Sequence, residues 1–463
     1  MTATSKVLTA GTATVSITPD RPLHLQGYGD RGGPATGTLD PLEVRAIVFN
    51  DGRTSFAILS ADLIGLDYAS VQRIRAVAEA ASGIPGTNVI VACSHTHSGP
   101  AVQILGDSPV DPEYQQWLEQ TMGEVVAEAN RSLQPVTVSA GEGTTDFSVN
   151  RRLRTPDGTL LQANPAGIVD HRVKVLRVDP TDRPVPKGTL GGRILPQENP
   201  LALLFSYACH PTVMGKDNLR YSSDYPGSAR KVIENAYQTR SGDGGTTAMF
   251  LPGCCGDQRP HLLNGDGRFR GALDHELSVL GRMLGSEVVK VAESIELELI
   301  GNLAIASRTV SLPYAHVPDE AELRVAMKDE KLRWWAQELL NRLENENSLP
   351  KVETGEVMVL RLGRHWIVTT PGETMLEIGL SIERGLVEMG LAQQDRGDMT
   401  LALGYTNGNV GYLCTSASMY EGGYEPARSY FEYLRPGPFI PEIEPTLIES
   451  ALALAQEIGP TNQ

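Results

Sequence analysis

The sequence predicts an α/β fold, with mixed β-sheets flanked by helices in one large domain over residues 1–463. Three observations predict it. Short apolar runs recur along the chain, each closed by turn residues, as buried strands require. Stretches of helical periodicity stand between several of them. No fixed-period repeat, low-complexity tract or clear linker divides the chain. A length of 463 residues allows two or three domains, but without a linker it favours one unit with insertions.

The elements follow in order. "LEVRAIVFNDG" reads as a strand into a turn, and "TSFAILSADLIGL" as a buried strand ending at Asp62. "SVQRIRAVAEAASGIP" spaces its apolar residues as a helix and closes at Gly83 and Pro85. "TNVIVACSHTH" is again apolar and β-rich, so the three form a parallel βαβ unit. A helix follows over about 112–133, then a strand and turn at Pro156-Asp157-Gly158, then the strand "HRVKVLRVD". The Pro- and Gly-rich stretch over about 179–199 reads as an insertion loop. "LALLFSYACHPTVMG" and "TTAMFLPGCCGDQRP" are two further buried strands, and a long helix spans about 271–295. A charged helical insertion covers about 317–347. "EVMVLRLGRHWIVTTPGETMLEIG" reads as two strands, a turn at Pro371-Gly372, and a helix beginning near Glu373. The tail is rich in Gly and Tyr.

Composition excludes some functions. Lys and Arg number 40 against 56 Asp and Glu, a net charge of −16. Such a surface repels phosphate backbones and anionic lipid, so nucleic acid and stable membrane association are not expected. The expected partner is a small-molecule substrate, and the sequence leaves a homo-oligomer open. No apolar run reaches the ~18 residues of a spanning helix. The N-terminus lacks a basic region followed by an apolar core, so no secretory signal is expected. The five cysteines, Cys93, Cys209, Cys254, Cys255 and Cys414, are odd in number and include an adjacent pair. They suit a reduced, cytoplasmic protein.

Chemistry gathers at the ends of the apolar strands. In "SHTHSGP", His95 and His97 stand two apart, so an extended chain would aim both the same way, with Cys93. Two imidazoles there can share a metal, or divide into a ligand and a proton donor. The plain alternative is a pair of hydrogen-bonded turn residues. His210 follows another buried strand in the same way. Glu373 would sit at a helix start, where the helix terminus favours its anion. "GCCGDQRP" sets Asp257 and Arg259 on a Gly turn, as a site or as a tight salt-bridged turn. Together these strand ends point to a metal-assisted hydrolase. Asp62, Asp224 and Asp257 are candidate acceptors for fixing imidazole tautomers, and equally candidate caps or turn formers.

Several stretches together resemble the catalytic domain of the neutral/alkaline non-lysosomal ceramidase family: "SADLIGL", "NVIVACSHTHSGP", "VNRRL", "FSYACHPTVMG", "GCCGDQRP", "TTPGETMLEIG" and "GYLCTSASMYEGGYE". They run in the family's order from about 55 to 425. The resemblance implies a ceramidase-like fold and one Zn²⁺ held by His95, His210, Glu373 and Tyr412. It implies His97 beside the metal as proton donor or oxyanion stabiliser, Arg151 on the substrate, and Tyr424 as a second active-site tyrosine. Two departures shape the expected substrate. Arg259 stands where the family's "GDVSPN"-like loop has Ser, and no C-terminal immunoglobulin-like domain is expected. A guanidinium there suits a carboxylate or sulfate, with Asp257 beside it. The expected activity is hydrolysis of an amide or ester in a soluble N-acyl substrate, and the sequence leaves an anionic group on it open. The alternatives are a zinc-dependent hydrolase or lyase of a soluble carbohydrate or uronate, and a non-catalytic metal-binding protein.

Overall fold

The computed structural model describes residues 7–29, 31–181, 189–190, 193–194, 199–238, 245–296 and 302–459. The expected insertion loop at about 179–199 lies mostly outside these residues.

An eight-stranded mixed sheet carries the architecture. Its spatial order runs Thr247–Pro252, Ala202–Tyr207, Arg172–Pro180, Gln134–Thr144, Thr9–Ser16, Glu43–Asn50, Ser55–Ala61 and Val89–Cys93. The expected βαβ unit is present: Ser55–Ala61 and Val89–Cys93 pair in parallel, joined by the helix Tyr68–Ser82. Asp67 caps that helix at Ser70 N, and Gly83 ends it at φ +76°. A second parallel pair, Ala202–Tyr207 with Thr247–Pro252, lies at the far side of the sheet. Both pairs are buried along their length, hence their unbroken apolar runs.

These two pairs are at opposite ends of the strand order, yet they meet in space. The central strands Thr9–Ser16 and Gln134–Thr144 share only a two-residue register, a weak seam about which the sheet folds over. Ser60 Oγ then donates to Phe250 O at 2.7 Å. Ile58, Ile90 and Ala92 share one core with Leu204, Met249 and Leu251.

A four-stranded sheet, Leu303–Pro313, Val352–Leu362, His365–Thr369 and Thr400–Leu403, supplies Met358, Leu360, Ile367 and Leu401 to the same core. Helices cover the outer faces. Tyr68–Ser82 and Pro112–Arg131 pack on one half of the large sheet, and Asp224–Tyr237 with Asp274–Ser294 on the other. Leu376–Glu388 and Ile443–Ile458 back the small sheet. The charged insertion at about 317–347 is two helices, Glu320–Ala326 and Arg333–Glu346, tucked around Leu323, Trp335 and Leu339.

The chain beyond Thr400–Leu403 wedges between the two edges that meet. Leu403 bridges Gly253 on one side and Thr406 bridges Ala92 on the other. Asn407 locks the wedge, its Oδ1 accepting from Val91 N at 3.0 Å and its N donating to Val91 O at 2.8 Å. The carboxyl ends of both parallel pairs, and the loops after the small sheet, therefore open onto one place. All five cysteines are free and buried, and among the described residues no helix is long and apolar enough to cross a membrane.

Candidate metal centre

Three histidines converge there. His95, His97 and His210 offer ring nitrogens that lie within 4.8 Å of one another. The convergence of His95 and His97 does not come from strand alternation, as expected. The strand ends at Cys93, and His95 sits in the left-handed region at φ +66°, with its N donating to Leu63 O at 2.9 Å. A turn therefore aims the two rings, and Cys93 packs into the core instead of facing the site.

The tautomers follow from the acceptors. His95 Nδ1 is 2.5 Å from Ile64 O, His97 Nδ1 3.0 Å from Gly27 O, and His210 Nδ1 2.7 Å from Cys255 O. A carbonyl can only accept, so each Nδ1 carries a proton and each Nε2 is turned to the centre, free to offer a lone pair to a cation when its ring is neutral. The three Nε2 atoms face inward: His97 and His95 are 3.3 Å apart there. Gly27 makes one of these contacts possible. Its φ is +105°, and a Cβ would stand 2.4 Å from His97 Nδ1.

Backbone carbonyls thus hold all three rings, and the expected carboxylates do not. Asp62 forms a two-pronged pair with Arg230 at 2.8 and 2.5 Å. Asp224 accepts from Tyr225 N at 2.7 Å and Met214 N at 3.1 Å, bracing the turn after His210. Its pKa is pushed up to about 7 by burial, against those backbone bonds. Asp257, expected on the substrate, accepts from Leu376 N at 3.0 Å and from Asn150 Nδ2 at 2.9 Å. These three are buried turn and helix braces, the second of the two roles open from sequence.

Glu373 completes the floor. Its Oε2 lies 2.9 Å from His210 Nε2 and 3.2 Å from His95 Nε2. It is not in the first turn of a helix, as expected. Glu373–Thr374 is a short strand paired in parallel with Tyr412–Leu413, and the helix starts at Leu376. This pairing sets Glu373 opposite Tyr412. Burial would raise the Glu373 carboxyl, but the adjacent imidazoles outweigh it and hold it well below its usual range. Burial also lowers His210, to about 3, and His97 well below normal. Burial thus favours the neutral ring at His97 and His210, beside one carboxylate. Three inward imidazole nitrogens and an anion suit a divalent cation of borderline softness, and the residues fit such an ion.

A wall of arginine and tyrosine rises beside this floor. Arg151 donates from Nη2 to the Tyr412 hydroxyl at 2.8 Å and from Nε to Glu425 Oε1 at 2.9 Å. Expected on the substrate, Arg151 thus positions Tyr412. Arg152 takes the other oxygen of Glu425 at 2.6 Å. Tyr424 packs edge-on to Tyr412, ring centroids 5.6 Å apart, and donates to Glu432 Oε2 at 2.7 Å. Tyr412 is raised well above the usual phenol range by burial, although Arg151 pulls the other way.

Three contributors escaped the sequence. Tyr433 donates to Glu373 Oε1, the oxygen turned away from His210. Its ring packs on Gly411, at φ +90°, where a Cβ would approach to 3.1 Å. Tyr405 lies along His95, with centroids 4.2 Å apart at 33°. Glu425 is the shared partner of two buried arginines. No local pattern marks any of them.

The profile described as "Neutral/alkaline non-lysosomal ceramidase, N-terminal" matches residues 9–270. The fold is similar to that of the neutral ceramidase from Pseudomonas aeruginosa, with a TM-score of 0.72 at 19% identity over 99% of this chain and 76% of that one. A ceramidase complexed with C2 is similar with a TM-score of 0.73 at 18% identity, again over 99% and 76% of the two chains. The chain belongs to the neutral/alkaline non-lysosomal ceramidase family, hydrolases acting on an amide bond.

Proposed function

We propose that the protein is a zinc-dependent amidase that cleaves a soluble N-acyl substrate. The observation that carries this reading is the inward set of three Nε2 atoms around the Glu373 carboxylate, each ring's Nδ1 being held by a backbone carbonyl. His95, His210 and Glu373 would hold one Zn²⁺, with Tyr412 beside Glu373 as the fourth group. The ion supplies Lewis acidity and a nucleophilic water at neutral pH.

The chain's own groups divide the remaining work. His97 is half-buried, with its proton committed to Gly27, so its Nε2 accepts a proton before it can donate one. It serves first as base, then returns the proton to the leaving amine. Tyr424, packed against Tyr412 at the wall, would donate to the charge that develops on the carbonyl oxygen by turning its hydroxyl from Glu432 Oε2. A preorganised contact of that kind is worth roughly 3–4 kcal/mol. Arg151 keeps the Tyr412 oxygen in place, and Glu425 neutralises Arg151. Glu373 stays ionised, with Tyr433 donating to its outer oxygen. The residues placed at the centre are neutral or internally paired, which suits an uncharged amide at the scissile position.

The test is a panel of N-acyl amides, matched esters and acidic sugars, assayed with and without a zinc chelator. Release of free amine that stops on chelation and returns with zinc is the expected result. Appearance of an ultraviolet-absorbing unsaturated sugar, or amine release indifferent to chelation, contradicts the reading.

A further inference from the structure

Arg259 differs from three other arginines near the centre. Arg151, Arg152 and Arg230 each meet a carboxylate. Arg259 meets none among the described residues. It stands on the strand Gln258–Pro260, opposite Val149 and beside the strand that bears Arg151. Its guanidinium carbon lies 4.2 Å from the centroid of the Phe269 ring, which fixes its plane. Its Nε is buried with no hydrogen-bond partner. A guanidinium stays protonated in proteins, so this is a charge held partly out of water with no counter-ion. Arg361 is also unpaired, but burial alone perturbs it and no charged group acts on it.

A second unspent group lies alongside. The Tyr28 hydroxyl is buried and has no partner. Its ring is 5.0 Å from that of His97, at the edge of the metal centre. Arg259 acts on Tyr28, and so does Arg31, whose guanidinium carbon lies 5.0 Å from the Tyr28 ring centroid. Arg259 follows Gln258, whose carbonyl accepts from His210 N at 3.3 Å, and Tyr28 packs on His97, so a forked cation and a hydroxyl donor both stand beside the histidine cluster. Leaving a desolvated charge unpaired is costly, and an oxyanion would satisfy both groups at once.

We propose that Arg259 and the Tyr28 hydroxyl bind a carboxylate or sulfonate carried by the substrate, so that the enzyme acts on acidic N-acyl amides. This rests on the amidase reading above for its chemistry, but not for its binding, and the two can fail separately.

The experiment uses the zinc-loaded protein and non-cleavable ketones, so binding is read without turnover. The probes are 4-oxoundecanoate, its neutral counterpart 4-oxoundecanamide, and 3-oxodecane-1-sulfonate, titrated calorimetrically. Wild type is expected to favour at least one of the two anions over the neutral ketone by about tenfold or more. In Arg259→Gln that ratio is expected to fall below about threefold, with Arg259→Lys between, because a point charge loses the forked geometry. Raising salt from about 0.05 to 0.5 M should shrink the wild-type preference. Which anion binds better assigns the carboxylate or sulfonate source. No preference in wild type, or one that survives Arg259→Gln, overturns the proposal. If Arg259→Gln does not fold, a wild-type preference indifferent to salt and unchanged in Arg259→Lys overturns it as well. Arg259-dependent anion binding without cleavage of N-octanoylglycine or any other panel amide would retain this inference and remove the amidase reading. Cleavage of N-octanoylglycinamide with no anion preference would do the reverse.

Discussion

The floor and the wall of the pocket handle buried polarity in opposite ways. On the floor, burial favours the neutral ring at His97 and His210, and all three imidazoles donate from Nδ1 to a backbone carbonyl. What remains is a set of inward ring nitrogens and one carboxylate, a local excess of electron density that a cation would satisfy. On the wall, charge is kept and cancelled in pairs: Arg151 and Arg152 share Glu425, and Arg151 also holds Tyr412. The floor is stable because its donors go to rigid backbone. The wall is stable because its charges balance. A substitution on the wall should therefore cost folding, and one on the floor should cost ion binding.

Glu425→Gln breaks the wall hardest. It leaves two buried guanidinium groups sharing a neutral amide. Loss of one partner from such a network costs about 3–5 kcal/mol of folding stability, readable as a lower urea midpoint. A loss near zero would show that solvent already reaches Arg151 and Arg152. Tyr433→Phe sharpens the same comparison from the other side. It removes a donor to Glu373 without unpairing any charge, so the urea midpoint should hardly move. Zinc affinity is expected to weaken by about 10–100-fold, the usual effect of removing a group that orients a ligand. Competition with a chromogenic chelator measures it. An unchanged affinity would separate Tyr433 from the floor.

How much of this was legible depends on the kind of signal each residue carries. Buried parallel strands announce themselves as apolar runs, so the βαβ unit and the positions of His95 and His210 could be read directly. What joins them could not. The sheet folds over at a two-residue seam between Thr9–Ser16 and Gln134–Thr144, and no periodicity encodes that. Glu373 was found for a reason the structure replaces: a strand pairing with Tyr412 positions it, where a helix start was expected. Tyr412 was visible only through family resemblance. Tyr405 and Tyr433 gain their roles because the segments beyond Thr400–Leu403 fill the gap between two sheet edges. A tyrosine in a loop looks the same in sequence whether or not it does so. The three aspartates took the plainer of their two roles, since a buried carboxylate at a strand or helix end is as readily a brace as an orienting group.

The central claim is that His95, His210 and Glu373 share one cation. The direct measurement is metal content by plasma mass spectrometry, on wild type and His210→Ala stripped with a chelator, reloaded with zinc and dialysed. Wild type is expected to retain about one zinc per chain and His210→Ala less than about a tenth of that, each with a cooperative unfolding transition. Wild type that retains no zinc yet still releases amine, or His210→Ala that keeps a full equivalent, would contradict the account.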